Sequence, residues 1–223
     1  MKIGKCKLDF KALKQMAYNG SSEAITQLCG GLSTMLFNWI LIKKFGEVGI
    51  SAFATVQYIS LVINAIIIGI SRGVAAIISV NFGGRLFNRV KHTLTLAIKT
   101  VTIVGFICTI VLLIFKNPLI SIFIQDNQEV FLNAQEIIVY YSFNFIFVGA
   151  NVVINTFYTA INDPKRSAVL AISRYLLLIG CFIVLPFILE TVGLWLSFAI
   201  AEIICLIISC ASLKRTQYTC LNS

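Results

Sequence analysis

Glu23, Arg174 and Glu202 are ionisable residues set inside stretches that are otherwise apolar, and seven carboxamides accompany them: Gln27, Asn38, Gln57, Asn64, Asn144, Asn151 and Asn155. Groups of these types hold water, ions and polar molecules by hydrogen bonds and charge. In hydrocarbon such a group is costly unless it faces a partner or a water-filled cavity, so each is a candidate for lining a substrate or ion path. Gln27 follows Glu23 by four residues, Gln57 and Asn64 are seven apart, and Asn144, Asn151 and Asn155 are separated by seven and four. On a helix each of these sets occupies one face. A stripe of this kind either lines a cavity or glues helices together through interhelical hydrogen bonds. For Glu202 the alternatives are an ion pair with Arg174 and titration as a proton or cation site. Glu23 fits a helix N-terminus, where an anion is favoured, and a snorkelling interfacial acid equally well.

The elements that must position these residues are six long apolar stretches: 24–42, 50–70, 93–115, 137–161, 168–189 and 192–213. A hydrocarbon core about 30 Å thick needs roughly 20 apolar residues of helix to cross it, and strict period-two alternation, the mark of a barrel strand, is absent. The fold class is therefore all-α, a polytopic membrane protein of six transmembrane helices. A hydrophobic content of 58%, with 12% charged residues and mean hydropathy of +0.92, leaves too little polar surface for a soluble domain of this length. Fifteen of the 18 lysines and arginines fall before the first stretch, in or near alternate connections, or in the tail; Lys43, Lys44 and Lys116 lie opposite. The positive-inside rule then places both termini in the cytoplasm, with Glu47, Asp126, Glu129, Glu136 and Glu190 outside. That distribution assigns the net charge of +9 to anionic headgroups of the lipid bilayer and argues against a nucleic-acid partner.

Residues 1–15 read as a cytoplasmic amphipathic lead, 16–213 as the membrane lobe and 214–223 as a cytoplasmic tail. The lead does not read as a secretory signal, because the stretch behind it is long, opens with Glu23 and lacks a small-residue cleavage pattern. Ile50 to Phe82 would run about 50 Å as one helix and must tilt, kink or project. Asn162-Asp163-Pro164 marks a compact inner turn, Leu119 to Phe131 an outer surface segment, and Pro186 a candidate kink. Gly30-Gly31 and Gly180 are expected as close helix contacts, with Gly105 and Gly149 weaker cases. Tyr140, Tyr141 and Trp195 suit an outer interfacial belt or a core position, with aromatics lining a drug pocket as the lesser alternative. Seven cysteines without C-x-x-C spacing and the single histidine, His92, form no metal motif. No paired catalytic groups, phosphate-binding loop or nucleophile elbow is present, so neither catalytic residues nor an enzyme is expected, and no organic cofactor.

Three segments resemble the multidrug and toxic compound extrusion family of cation-coupled antiporters. Asn19-Gly20-Ser21-Ser22-Glu23-Ala24-Ile25-Thr26-Gln27-Leu28, followed by Leu36-Phe37-Asn38, is similar to the seventh helix of bacterial members. Gly69-Ile70-Ser71-Arg72-Gly73 through Ser79-Val80-Asn81-Phe82-Gly83 is similar to the eighth and its S-Y-N-Y-G-type ending. Asn162-Asp163-Pro164-Lys165-Arg166, Ser173-Arg174 and Gly193-Leu194-Trp195-Leu196-Ser197-Phe198 with Glu202 complete the pattern, and Pro118-Leu119-Ile120-Ser121-Ile122-Phe123 resembles the segment after helix nine. The resemblance implies the carboxy-terminal six-helix lobe of a twelve-helix plasma-membrane exporter. It further implies a small-molecule, cationic substrate, Na+ or H+ as coupling ion, and a second lobe from a partner chain, a copy of this chain or an upstream segment. It also exposes two departures. The acids of an amino-terminal lobe are missing. Ala75-Ala76 stands where relatives often carry glutamine and proline, and Gly31 and Asn151 lie near positions that are acidic in some members. Glu23 is not equated with those acids, and coupling by this lobe alone is in question. A lipid-linked precursor flippase and a non-transporting fragment or accessory subunit are the alternatives.

Overall fold

The structure is a computed structural model that describes residues 10–124 and 127–220. The first nine residues of the lead, Gln125, Asp126 and the last three residues of the tail lie outside the described residues. All regular structure in the described residues is helical, as apolar stretches demand when their backbone groups must be satisfied within the segment.

The first helical run, Phe10–Gly83, is interrupted at Gly46, where φ is 62° and ψ −153°. A straight helix would hold Phe37 and Phe53 about 24 Å apart at 1.5 Å per residue. Their ring centroids are 4.5 Å apart. The run is therefore a hairpin of two spans, 10–45 and 47–83. The same argument divides Pro164–Cys220 at Glu190 (φ 50°, ψ −127°), since Phe182 and Phe198 meet at 5.0 Å. Its spans are 164–189 and 191–220. Phe87–Ile114 forms the third span, and a bent pair, Gln128–Ser142 and Asn144–Ala160, forms the fourth. These make up the six-helix count.

Several details differ from expectation. The first helix already runs from Phe10, so the described part of the lead is continuous with the first span. The second span stays helical to Gly83 without a break. The fourth bends by 49° after Ser142, a break for which no proline or glycine gives warning. Thr109 of the third span shares its hydroxyl proton between the carbonyls of Gly105 and Ser142, at 2.9 Å each. The carbonyl at the bend thus keeps a partner. Pro186 lies within its helix, and the reversal comes four residues later at Glu190.

Two helix starts carry ordinary capping signals. Asn127 accepts from the backbone N–H groups of Glu129 and Val130 at 3.1 Å, and Asp163 accepts from the N–H of Arg166 at 3.3 Å, ahead of Pro164 in the first turn. Of the expected outer surface segment, Lys116–Ser121 is a short helix that buries Ile120, while Ile122 and Phe123 are exposed.

Two apolar clusters hold the bundle. One, toward the end carrying Gly46 and Glu190, centres on aromatic residues, with Phe37 inside a ring formed by Phe53, Phe182, Trp195 and Phe198. Trp195 is 3% exposed, so it takes the core position and not the belt. The other cluster, toward the opposite end, packs Ile78, Val90, Leu94 and Val101 against Phe157 and Tyr158. The expected glycine contacts hold in part. A Cβ at Gly30 would meet Tyr175 OH at 2.8 Å, whereas Gly31 and Gly180 face open space, and the tightest backbone approach is at a glycine expected to matter less: a Cβ at Gly105 would strike the Phe145 carbonyl, and one at Gly149 would meet Val101 at 3.0 Å. The third span thus backs closely onto the bent fourth.

Candidate functional site

A cavity of about 600 Å³ runs between the first, second, fourth, fifth and sixth spans. The third supplies no lining residue and serves as backing. Nine of the ten candidates line the cavity: Glu23 and Gln27 from the first span, Gln57 and Asn64 from the second, Asn144, Asn151 and Asn155 from the fourth, Arg174 from the fifth and Glu202 from the sixth. Asn38 does not. Its neighbour Phe37 takes the cavity position, and one residue along a helix rotates by about 100°, which turns Asn38 away.

At mid-depth three spans meet in one polar cluster. Glu202, 6% exposed, accepts from Arg174 Nε at 2.5 Å through Oε1 and from Asn151 Nδ2 at 2.7 Å through Oε2. The same Nδ2 lies 2.9 Å from the backbone carbonyl of Glu202. Two acceptors facing that atom fix the orientation of the amide, since its oxygen there would meet only other oxygens. Asn151 Oδ1 is left buried without a partner. The ion pair is thus formed, and Asn151 both lines the cavity and glues the fourth span to the sixth.

Asn155 has the same double position. Its Oδ1 accepts from Ser167 Oγ at 2.8 Å, and Ser167 is within 3.1 Å of Thr159 Oγ1. Nearer the chain ends, Tyr158 OH meets Ser212 at 2.8 Å and Thr216 at 3.1 Å, while Arg166 Nη1 donates to Thr216 Oγ1 at 2.7 Å. Gln27 reaches Glu23 only at 3.5 Å, a weak contact within one helix.

The lining changes character along the cavity. Glu23, Arg72 and Thr159 lie toward the end that holds the chain termini, and Phe37, Phe53, Tyr141, Phe182 and Phe198 form the wall toward the Gly46 end. Tyr141 and Phe198 approach to 4.7 Å between centroids, and Phe37 and Phe182 to 4.4 Å. The polar spacing alone overlooks this aromatic wall. A signal for it was nonetheless present: Phe53 precedes Gln57 by four residues, Tyr141 precedes Asn144 by three and Phe198 precedes Glu202 by four, which places each on the same helix face as its polar neighbour. The charged lining groups number two of each sign, Glu23 and Glu202 against Arg72 and Arg174. Such a site can bind flat apolar bodies with a few polar points, and no bond-making chemistry is assembled in it.

A six-helix membrane lobe around a partly polar cavity is the architecture of half a transporter. The MatE family model matches residues 24–184, and the chain belongs to that family, whose members are transporters and not enzymes. Solved structures agree on the fold. A MOP superfamily transporter from Pyrococcus furiosus, described as having a binding pocket of reverse polarity that suggests a different function, superposes with a TM-score of 0.89 at 16% identity, over 97% of this chain and 49% of that one. A multidrug resistance MATE family transporter in an outward-facing conformation gives 0.90 at 15% identity, over 100% and 50%. A point mutant of the Vibrio cholerae MATE transporter VcmN gives 0.87 at 15%, over 95% and 48%. The chain thus spans about half the length of the transporters it resembles. No curated protein matches the sequence.

Proposed function

We propose that this chain is one lobe of a plasma-membrane exporter of small cationic molecules, coupled to Na+ or H+ and working by alternating access with a second six-helix lobe. The observation that carries this reading is the cavity. It is bordered by five of the six spans of a lobe that matches half of a transporter, and it combines an aromatic wall with a polar stripe. A partner chain, a second copy or a further segment of the same polypeptide supplies the other half. Both termini lie in the cytoplasm, following the basic residues of alternate connections.

A flippase for lipid-linked precursors would want a cationic cavity. Arg174 is neutralised by Glu202, which weighs against that reading. The same pair favours a second reading, a non-transporting accessory subunit, because the mid-depth carboxylate is already occupied on both oxygens. Ethidium efflux decides between them, measured in cells that produce this chain alone and in cells that also produce an amino-terminal lobe. Gradient-dependent efflux from the assembled pair is expected; its absence in a correctly inserted, assembled pair sinks the transport reading.

A further inference from the structure

The Arg174–Glu202 pair sits in the cavity wall with its two halves unequally placed. The Arg174 side chain retains 23% of its exposure and that of Glu202 only 8%, so the cation lies toward the cavity and the carboxylate behind it. Two features around that carboxylate are those of a cation site. Asn151 holds Oε2 with its amide nitrogen and keeps a buried carbonyl oxygen, Oδ1, free of partners. Tyr175, which also lines the cavity, lies with its ring centroid 5.9 Å from the Arg174 guanidinium, so an aromatic face already borders a cation there. Among the described residues the other acid that lines the cavity is Glu23, toward the end that holds the chain termini.

We infer that Arg174 is a built-in cation occupying the Glu202 site, and that the cationic group of a transported molecule takes its place. The lobe then alternates between an arginine-occupied and a substrate-occupied state. This accounts for a feature that a purely structural pair leaves without a role: a buried ion pair adds little stability over apolar packing, yet this one borders the cavity. A tethered competitor lowers the apparent affinity by the fraction of time the site is vacated, which suits a transporter that must release its cargo. The inference rests on the reading of the cavity as a path for cations.

Tetraphenylphosphonium binding to the purified full chain in lipid nanodiscs tests it. Arg174→Gln is expected to bind the probe about tenfold more tightly than wild type, as for a site otherwise vacant about a tenth of the time. Arg174→Gln combined with Glu202→Gln is expected to lose that gain. Equal affinity of wild type and Arg174→Gln overturns the inference while leaving the cavity as a cation site; so does equal tightening in the double variant. Absence of binding by every protein overturns both the inference and the reading beneath it. A measurement on wild type covers misfolding of the single variant. Saturating tetraphenylphosphonium should raise the rate at which phenylglyoxal modifies Arg174, followed on its peptide by mass spectrometry; an unchanged or lower rate contradicts displacement.

Discussion

At the scale of single residues, the cluster of Asn151, Arg174 and Glu202 sets the strongest expectations. Glu202→Gln leaves a partly buried guanidinium without its counter-charge and should cost about 3 kcal/mol, whereas Arg174→Met with Glu202→Met should recover most of that loss. Thermal unfolding in detergent measures both. Asn151→Leu removes one donor to the carboxylate and should cost about 1 kcal/mol, within the range of hydrogen bonds between membrane helices. In a complete assembly it should also reduce transport by more than its loss of folded protein explains. Normal transport by well-folded Asn151→Leu and Asn155→Leu proteins would mean that these amides only hold helices together. Most of the cluster was legible in the sequence, because a polar residue within an apolar span must face something polar and helical spacing identifies the face. What remained hidden was the choice between gluing and lining. Asn151 and Asn155 do both, an outcome that spacing cannot distinguish because either role needs the same face. Asn38 shows the opposite failure, since it is polar and lies within a span, yet it is half-buried outside the cavity lining.

At the scale of elements, the breaks and close contacts govern the lobe. Gly105→Ala forces a methyl group against the Phe145 carbonyl and should cost about 1–3 kcal/mol by overpacking. Gly31→Ala and Gly180→Ala have room and should be neutral or slightly stabilising, given the helix propensity of alanine. Denaturation of the three variants in parallel checks the contrast, and equal effects would mean that the third and fourth spans are not in close contact. Glu190, a non-glycine residue at φ 50°, occupies the second hairpin where Gly46 occupies the first. Glu190→Gly should therefore stabilise by about 1 kcal/mol. Apolar length and basic residues reveal six spans, but they do not reveal where a span bends. The break after Ser142 depends on tertiary contacts, Gly105 against Phe145 and Thr109 against the Ser142 carbonyl, made by a helix distant in sequence.

At the scale of the whole molecule, the lobe carries a two-part cavity, amides and one ion pair toward its middle and aromatic rings toward the Gly46 end. Its charged lining groups balance, two of each sign. The most direct test of the account fills the cavity. Gln57→Trp and Asn64→Trp place an indole on the second-span face of the lining, where both parent residues are half-buried. Ethidium transport should be followed in proteoliposomes holding the complete assembly, with melting temperature monitored alongside. The account predicts a fall in transport of about tenfold or more in both variants, the size of effect that misplacement of a bound molecule produces, without a matching fall in stability. Unchanged transport by stable, fully assembled variants would contradict it, because the molecule would then cross by a route that does not pass this cavity.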